Sequence, residues 1–315
     1  MRIAYRVPTN PASARPHLFV VLALVAACGG GKSVPAAHAP ADRVSLMAVP
    51  PESTLRDDPF SRSARRGRAI MRATRDSLPG HVGNRLRCVS CHLDDGTRAF
   101  AMPWAGAYGR FPQYRSRSGR VGRLEDRIDD CFRRSLNGTP LPFAGDDMRD
   151  IVAYISWLSR GSASDRRTRG SGIDSIGPLP PDTTRGRLAY LLNCARCHGV
   201  AGEGLVATLA AASGPPLWGR ESFSVGAGMA RVRASAAFIR RNMPFDAPAT
   251  ISAQTAFDIA GFLSARDRPD FPGKELDWPN GDAPPDVAYP VRSRGVSGGR
   301  PSARAMRLQR RDSSE

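Results

Sequence analysis

The chain has 315 residues, enough for two modest domains with tails. Hydrophobic residues make up 41% of it and aromatics only 7%, so a small domain built from it needs extra apolar bulk to fill a core. The formal net charge is +17 and Lys32 and Lys274 are the only lysines, but no nucleic-acid motif accompanies the arginines and the N-terminus is that of an exported chain, which excludes a nucleic-acid binder.

Residues 1–28 read as a signal peptide. Arg2, Arg6 and Arg15 give the charged start, and Leu18 to Ala27 is an apolar run too short to span a bilayer, which takes ~20 residues. The run ends in Val25-Ala26-Ala27-Cys28, a sequence like a bacterial lipobox, so Cys28 is the expected lipidation site and the protein is expected at a periplasmic membrane surface. The alternative is an ordinary signal with an incidental cysteine. Gly29 to Ser33 imitates the end of a phosphate-binding loop, but its first glycine would fall on Ala26 inside the apolar run. Residues 29–57 therefore read as a flexible, Pro/Ala-rich tether.

Six cysteines in an exported chain could form three disulfides. The spacing points elsewhere. Cys88-Val89-Ser90-Cys91-His92 and Cys194-Ala195-Arg196-Cys197-His198 are both C-x-x-C-H, the attachment signature of haem c: two thiols add to the vinyl groups and the histidine binds iron. Zinc would need a fourth ligand at each place, and no histidine recurs to supply it. Two covalently bound haem c groups are therefore expected as cofactors.

The sequence around each motif follows one plan. Arg66-Gly67-Arg68-Ala69-Ile70-Met71 and Arg185-Gly186-Arg187-Leu188-Ala189-Tyr190 open a helix before each haem. A closing helix follows at 146–159, with Ile151, Tyr154, Ile155 and Leu158 on one face. Its counterpart is 253–265, with Phe257, Ile259, Ala260, Phe262 and Leu263 inward. The fold expected is mainly α: two class I cytochrome c-like domains in tandem, at 58–160 and 182–272. Residues 161–181 read as a linker. Residues 273–315 read as a basic tail with room to wrap the second domain up to Trp278, and disorder is expected beyond.

The sixth iron ligand differs between the halves. Met243, followed by Pro244 and 45 residues after His198, suits the second haem, and histidine/methionine ligation suits electron transfer. The first half carries Leu141-Pro142 at the corresponding place, and leucine cannot bind iron. Met102 lies too close to His92 to reach the opposite face, and Met148 looks like packing. Cys131, 39 residues after His92, remains: as a thiolate it would bind ferric haem, and as a buried thiol it would be inert. Spacing leaves both open.

The block Leu78-Pro79-Gly80-His81-Val82-Gly83-Asn84, with Phe111 to Arg117, Leu124 to Ile128 and Cys131-Phe132-Arg133-Arg134-Ser135-Leu136-Asn137-Gly138, resembles the dihaem thiosulfate dehydrogenases. So does Ala237 to Pro244, and the resemblance spans about 58–272. It implies that two thiosulfate ions are joined into tetrathionate, with electrons passing from the first haem to the second and on to a cytochrome-like acceptor. It implies His92 and Cys131 on the first iron and His198 and Met243 on the second. It also places Arg117, Arg127 and Ser135 at the substrate. In some members a lysine just before the methionine is an alternative ligand; here that position is Asn242, so such a switch is not expected. A plain electron carrier, or a sulfur enzyme that works with a dedicated partner, are the competing readings. Between Ser61 and Arg134 there are seventeen arginines, no lysine and seven acidic residues, a field suited to drawing in a small dianion.

Overall fold

The computed structural model describes residues 48–162, 168–206 and 213–291. The signal-peptide reading, Cys28 and most of the tether lie outside them.

Each half is built on one crossing of two helices. In the first half the opening helix runs Pro59–Arg72. Asp58 caps it by accepting from the Ser61 amide at 2.8 Å, and Pro59 occupies the first turn, where no amide donor is needed. The closing helix, Asp146–Leu158, has two acids in its first turn and buries Ile151, Tyr154, Ile155 and Leu158. In the second half Asp182 caps Thr183–Asn193 and Ser252 caps Ala253–Ser264. That closing helix buries Phe257, Ile259, Ala260 and Phe262, with Leu263 half-buried beside them.

The crossing explains the repeated Arg-Gly pair. Gly67 lies so close to the closing helix that a Cβ on it would meet the Asp150 carbonyl oxygen at 1.9 Å. For Gly186 and the Asp258 carbonyl the figure is 2.0 Å. Only glycine permits that approach. The preceding arginine ties the same crossing through its tip. Arg66 binds the Asp150 carboxylate, and Arg185 Nε donates to Asp258 Oδ2 at 2.8 Å. Short apolar side chains alone would leave such a crossing free to slide; the glycine and the ion pair fix its register.

Two further elements position the site. A helix, Leu124–Arg134, carries Cys131. Ahead of it, Gln113–Arg115 and Arg120–Gly122 pair antiparallel, with Tyr114 opposite Val121. This hairpin is the one β element with named strands among the described residues.

The halves are stitched together behind the Cys131 helix. Ser224 donates from its amide (3.1 Å) and its hydroxyl (2.8 Å) to the Arg134 carbonyl. Buried Asn84 donates to the carbonyls of Ser135 and Ser222. Asn242, also buried, donates to the Phe100 carbonyl of the first half at 3.2 Å.

Two expectations about the termini need correction. Residues 48–57 are not a free tether. Leu55 is buried in the first core, and the Trp157 indole donates to Thr54 Oγ1 at 2.9 Å. Residues 273–291 are not a disordered tail, and they do not wrap the second half alone. They form a strap over the first half, where Trp278 donates its amide to the Arg117 carbonyl at 2.8 Å. Asp277 pairs with Arg134 at 2.7 Å, and Tyr289 donates to Asp277 at 2.5 Å. Composition averages over such a segment and misses it, because two aromatic rings and one buried acid anchor it.

Candidate functional site

The first C-x-x-C-H lies on a 3-10 turn, Cys88–Ser90, beneath the opening helix. Thr74, fully buried and first in the short turn Thr74–Ser77 that follows that helix, accepts from the Cys88 amide at 3.0 Å and so fixes the first thiol. The His92 ring stacks on Trp104 with centroids 4.8 Å apart, and its Nδ1 donates to the Met102 carbonyl at 2.6 Å. That bond sets the tautomer and leaves Nε2 as the lone-pair nitrogen, the usual arrangement of an iron-bound histidine. Burial pushes the His92 pKa down to about 4, so the ring is neutral. Met102 thus serves from its backbone, on the same side as His92.

Facing these residues is a cavity of about 270 Å³ with walls of Met71, Leu86, Leu124, Ile128, Phe132 and Ile155. Cys88, Cys91, His92 and Cys131 all border it. A flat apolar macrocycle with two thioether links and one imidazole ligand fits this donor set and lining. Cys131 therefore opens onto the cavity that His92 borders. Arg127 Nη1 donates to Cys131 Sγ at 2.7 Å, an i to i+4 contact along the helix. Arg127 is half-buried, and although desolvation acts to lower its pKa the sulfur beside it raises it, so it stays cationic. Leu141 is buried in the core, with its amide donating to Asp129 Oδ1 at 3.0 Å.

The second motif repeats the proximal geometry. His198, on the single turn Ala195–His198, is buried, and its Nδ1 donates to the Pro215 carbonyl at 2.7 Å. Burial lowers its pKa. Burial also pushes the Cys88, Cys91 and Cys194 thiols up to about 12. Tyr190, Trp218 and Phe262 pack as an aromatic trio around this site. Met243 is half-buried and packs into the same apolar cluster as Cys194, Ile239 and Phe257.

The structure brings Arg127 and Ser135 to the mouth of the first cavity. It places Arg117 one step outward, in an adjoining polar chamber of about 360 Å³ that shares Gln113, Arg115, Arg127 and Ser135 with the haem cavity. Gln113, Arg115, Arg134 and Arg231 also line the chamber, and their place there as a set was not legible in the sequence. Arg134 had a usable signal: Arg127, Cys131 and Arg134 follow at i, i+4 and i+7 on one helical face. Arg231 lies some hundred residues away in the chain, with nothing local to mark it.

Comparisons with known proteins place the chain among cytochrome c proteins. Residues 82–163 match the family described as SoxA/TsdA, cytochrome c domain, and 181–263 match the description "Cytochrome C oxidase, cbb3-type, subunit III". The thiosulfate dehydrogenase of Psychrobacter arcticus is 42% identical over 242 residues, covering 76% of this chain and 74% of that protein. That of Allochromatium vinosum is 40% identical over 240 residues, covering 75% and 89%. Among solved structures, the thiosulfate dehydrogenase (TsdBA) from Marichromatium purpuratum superposes with a TM-score of 0.68 at 35% identity. The match covers 72% of this chain and 50% of that one.

Proposed function

Since the chain belongs to the thiosulfate dehydrogenase family, we propose that Cys131 is the nucleophile with which it joins two thiosulfate ions into tetrathionate. The protein is a dihaem oxidoreductase with two cytochrome c domains in tandem. Cys88, Cys91, His92 and Cys131 hold the first haem c; Cys194, Cys197, His198 and Met243 hold the second. When bound, the two haems supply the sink for the two electrons the reaction releases, and a cytochrome-like acceptor drains them.

The observation that carries this reading is the place of one sulfur: Cys131 Sγ borders the cavity with His92 and accepts a charged hydrogen bond from Arg127. Arg127 steadies the negative sulfur and, with Ser135, presents donors to sulfonate oxygens at the cavity mouth. The sulfane sulfur of one thiosulfate bonds to Sγ of the Cys131 thiolate, giving Cys–S–S–SO3⁻ and two electrons, so three negative charges enter and three leave. The sulfane sulfur of a second thiosulfate attacks the sulfane sulfur of this adduct. The bond to Sγ breaks, tetrathionate departs as a dianion, and the thiolate is restored.

Replacing Cys131 by alanine tests this. Haem content, measured after alkaline pyridine treatment, stays at two per chain, while thiosulfate-dependent reduction and tetrathionate formation disappear. Undiminished turnover leaves only an electron carrier.

The N-terminal sequence supports a periplasmic lipoprotein anchored through Cys28. Cys28→Ser then releases the protein from the membrane fraction, and unchanged partitioning speaks for an ordinary signal peptide.

A further inference from the structure

Beyond Arg127 and Ser135, which it shares with the Cys131 cavity, the outer polar chamber has no part in the chemical steps described so far. Its walls come from three separated stretches: the hairpin loop with Arg117, the second half with Arg231, and the strap with Trp278. Arg134 completes them from the Cys131 helix. Five arginines line the chamber, against one acid, Asp130. Asp277 stands behind, spent on Arg134 and on the Tyr289 hydroxyl.

Two acids behind the chamber offset part of this charge: Asp277 pairs with Arg134 at 2.7 Å and lies 3.8 Å from Arg117, and Asp286 lies 3.9 Å from Arg231. Burial pushes the Arg117 pKa down to about 10, and like-charge repulsion from Arg134 and Arg231 works against the opposing pull of Tyr289 and Asp277. The Nε atoms of Arg134 and Arg231 are buried with no hydrogen-bond partner. Asp130 Oδ1 is 3.7 Å from Arg134 Nε, too far for a hydrogen bond. A buried donor without an acceptor costs stability unless something supplies one. The Trp278 ring caps the Arg117 guanidinium with 4.6 Å to its centroid, and Trp278 itself adopts φ 54°, which its bond to the Arg117 carbonyl holds in place.

The product's chemistry requires a second cationic place. Tetrathionate carries a sulfonate at each end, and only one can lie beside Cys131. The second thiosulfate must point its sulfane sulfur at the cysteine adduct and its sulfonate away. The chamber begins at residues shared with the Cys131 cavity.

We propose that this chamber is the second oxyanion subsite, in which Arg117, Arg134 and Arg231 hold the sulfonate of the incoming thiosulfate and the outer sulfonate of tetrathionate, with the Trp278 strap as its outer wall. The assignment of tetrathionate rests on the function proposed above; the subsite itself stands on the chamber.

The test is calorimetric titration of sodium tetrathionate into holoprotein carrying Cys131→Ala, which cannot turn over, at fixed ionic strength. Adding Arg231→Gln weakens tetrathionate about tenfold, the loss of one charged hydrogen-bonding partner. Adding Arg187→Gln, an exposed arginine on the second opening helix, changes nothing and controls for net charge. Trp278→Ala serves as the second variant and also weakens binding. With Cys131 intact, Arg231→Gln raises the half-saturating thiosulfate concentration for tetrathionate formation. It leaves the thiosulfate dependence of the first haem reduction unchanged. Equal tetrathionate affinity in the Arg231, Trp278 and Arg187 variants overturns the subsite. Turnover by Cys131→Ala overturns the covalent mechanism but leaves a loss of tetrathionate affinity in Arg231→Gln standing.

Discussion

Replacing Gly67 or Gly186 by alanine should destabilise the half that contains it, although alanine is the better helix former. An added Cβ at Gly67 would sit 1.9 Å from the Asp150 carbonyl oxygen and 2.4 Å from its carbon; at Gly186 the corresponding distances to Asp258 are 2.0 and 2.5 Å. A carbon–oxygen contact relaxes only near ~3.3 Å, so the helices must part by over an ångström. The obstacle is backbone within a helix, not a movable side-chain tip. Overpacking of this kind costs about 1–3 kcal/mol or more, and intrinsic helix preference returns about 1 kcal/mol. The expected net loss is ~2 kcal/mol at each site, a fall of roughly 4–8 °C in Tm for a chain of this size. Thermal melts of the holoprotein, followed by far-ultraviolet dichroism and by the haem Soret band, measure it. Gly80→Ala is the control, since no atom lies within 4 Å of its added Cβ, and its Tm should hold. A Gly67→Ala or Gly186→Ala protein as stable as the parent would refute the reasoning, because the two helices would then have room to spare.

Three further outcomes are expected. Asn84→Ala leaves the Ser135 carbonyl without its buried donor, takes one of two side-chain donors from the Ser222 carbonyl, where Asn137 remains at 2.7 Å, and frees the Leu86 amide. It should cost about 3 kcal/mol in denaturant unfolding and raise amide exchange after the Cys131 helix. Asp258 is buried, which alone would raise its pKa, but Arg185 and the Asp182 amide outweigh burial and lower it below 3.8. Its stabilising contribution is therefore fully present above that value and lost as pH falls through the lower folded value. Thermal melts should show Asp258→Asn less stable than the parent at pH 7, with the gap narrowing as pH falls below 3.8. Met243→His should lower the potential of the second haem in a redox titration while the first keeps its own; an unmoved second potential would remove Met243 as a ligand.

The covalent chemistry was legible in the chain because it is local. A C-x-x-C-H run carries its thiols and its imidazole within five residues, so each haem attachment could be read without a fold. The paired helices were legible too, since Ile151, Tyr154, Ile155 and Leu158 mark one face by spacing alone. The Arg-Gly repeat was visible, but its reason was not: it lies in a backbone approach between residues 83 positions apart, Gly67 and Asp150.

Cys131 marks the boundary between the two kinds of information. Spacing allowed either a haem-side sulfur or a sealed thiol, and the fold turned it to the cavity that His92 borders, with Arg127 upon it. The strap marks it again. Residues 273–291 have no periodicity, yet Asp277, Trp278 and Tyr289 pin them over Arg117 and Arg134. Sequence sets which groups can react and which faces are apolar, because bonding and helical period are short-range. Which arginines share one chamber depends on three distant segments meeting in space, and the free energy that selects this meeting comes from burying their apolar and ionic contacts together, a quantity no single segment contains.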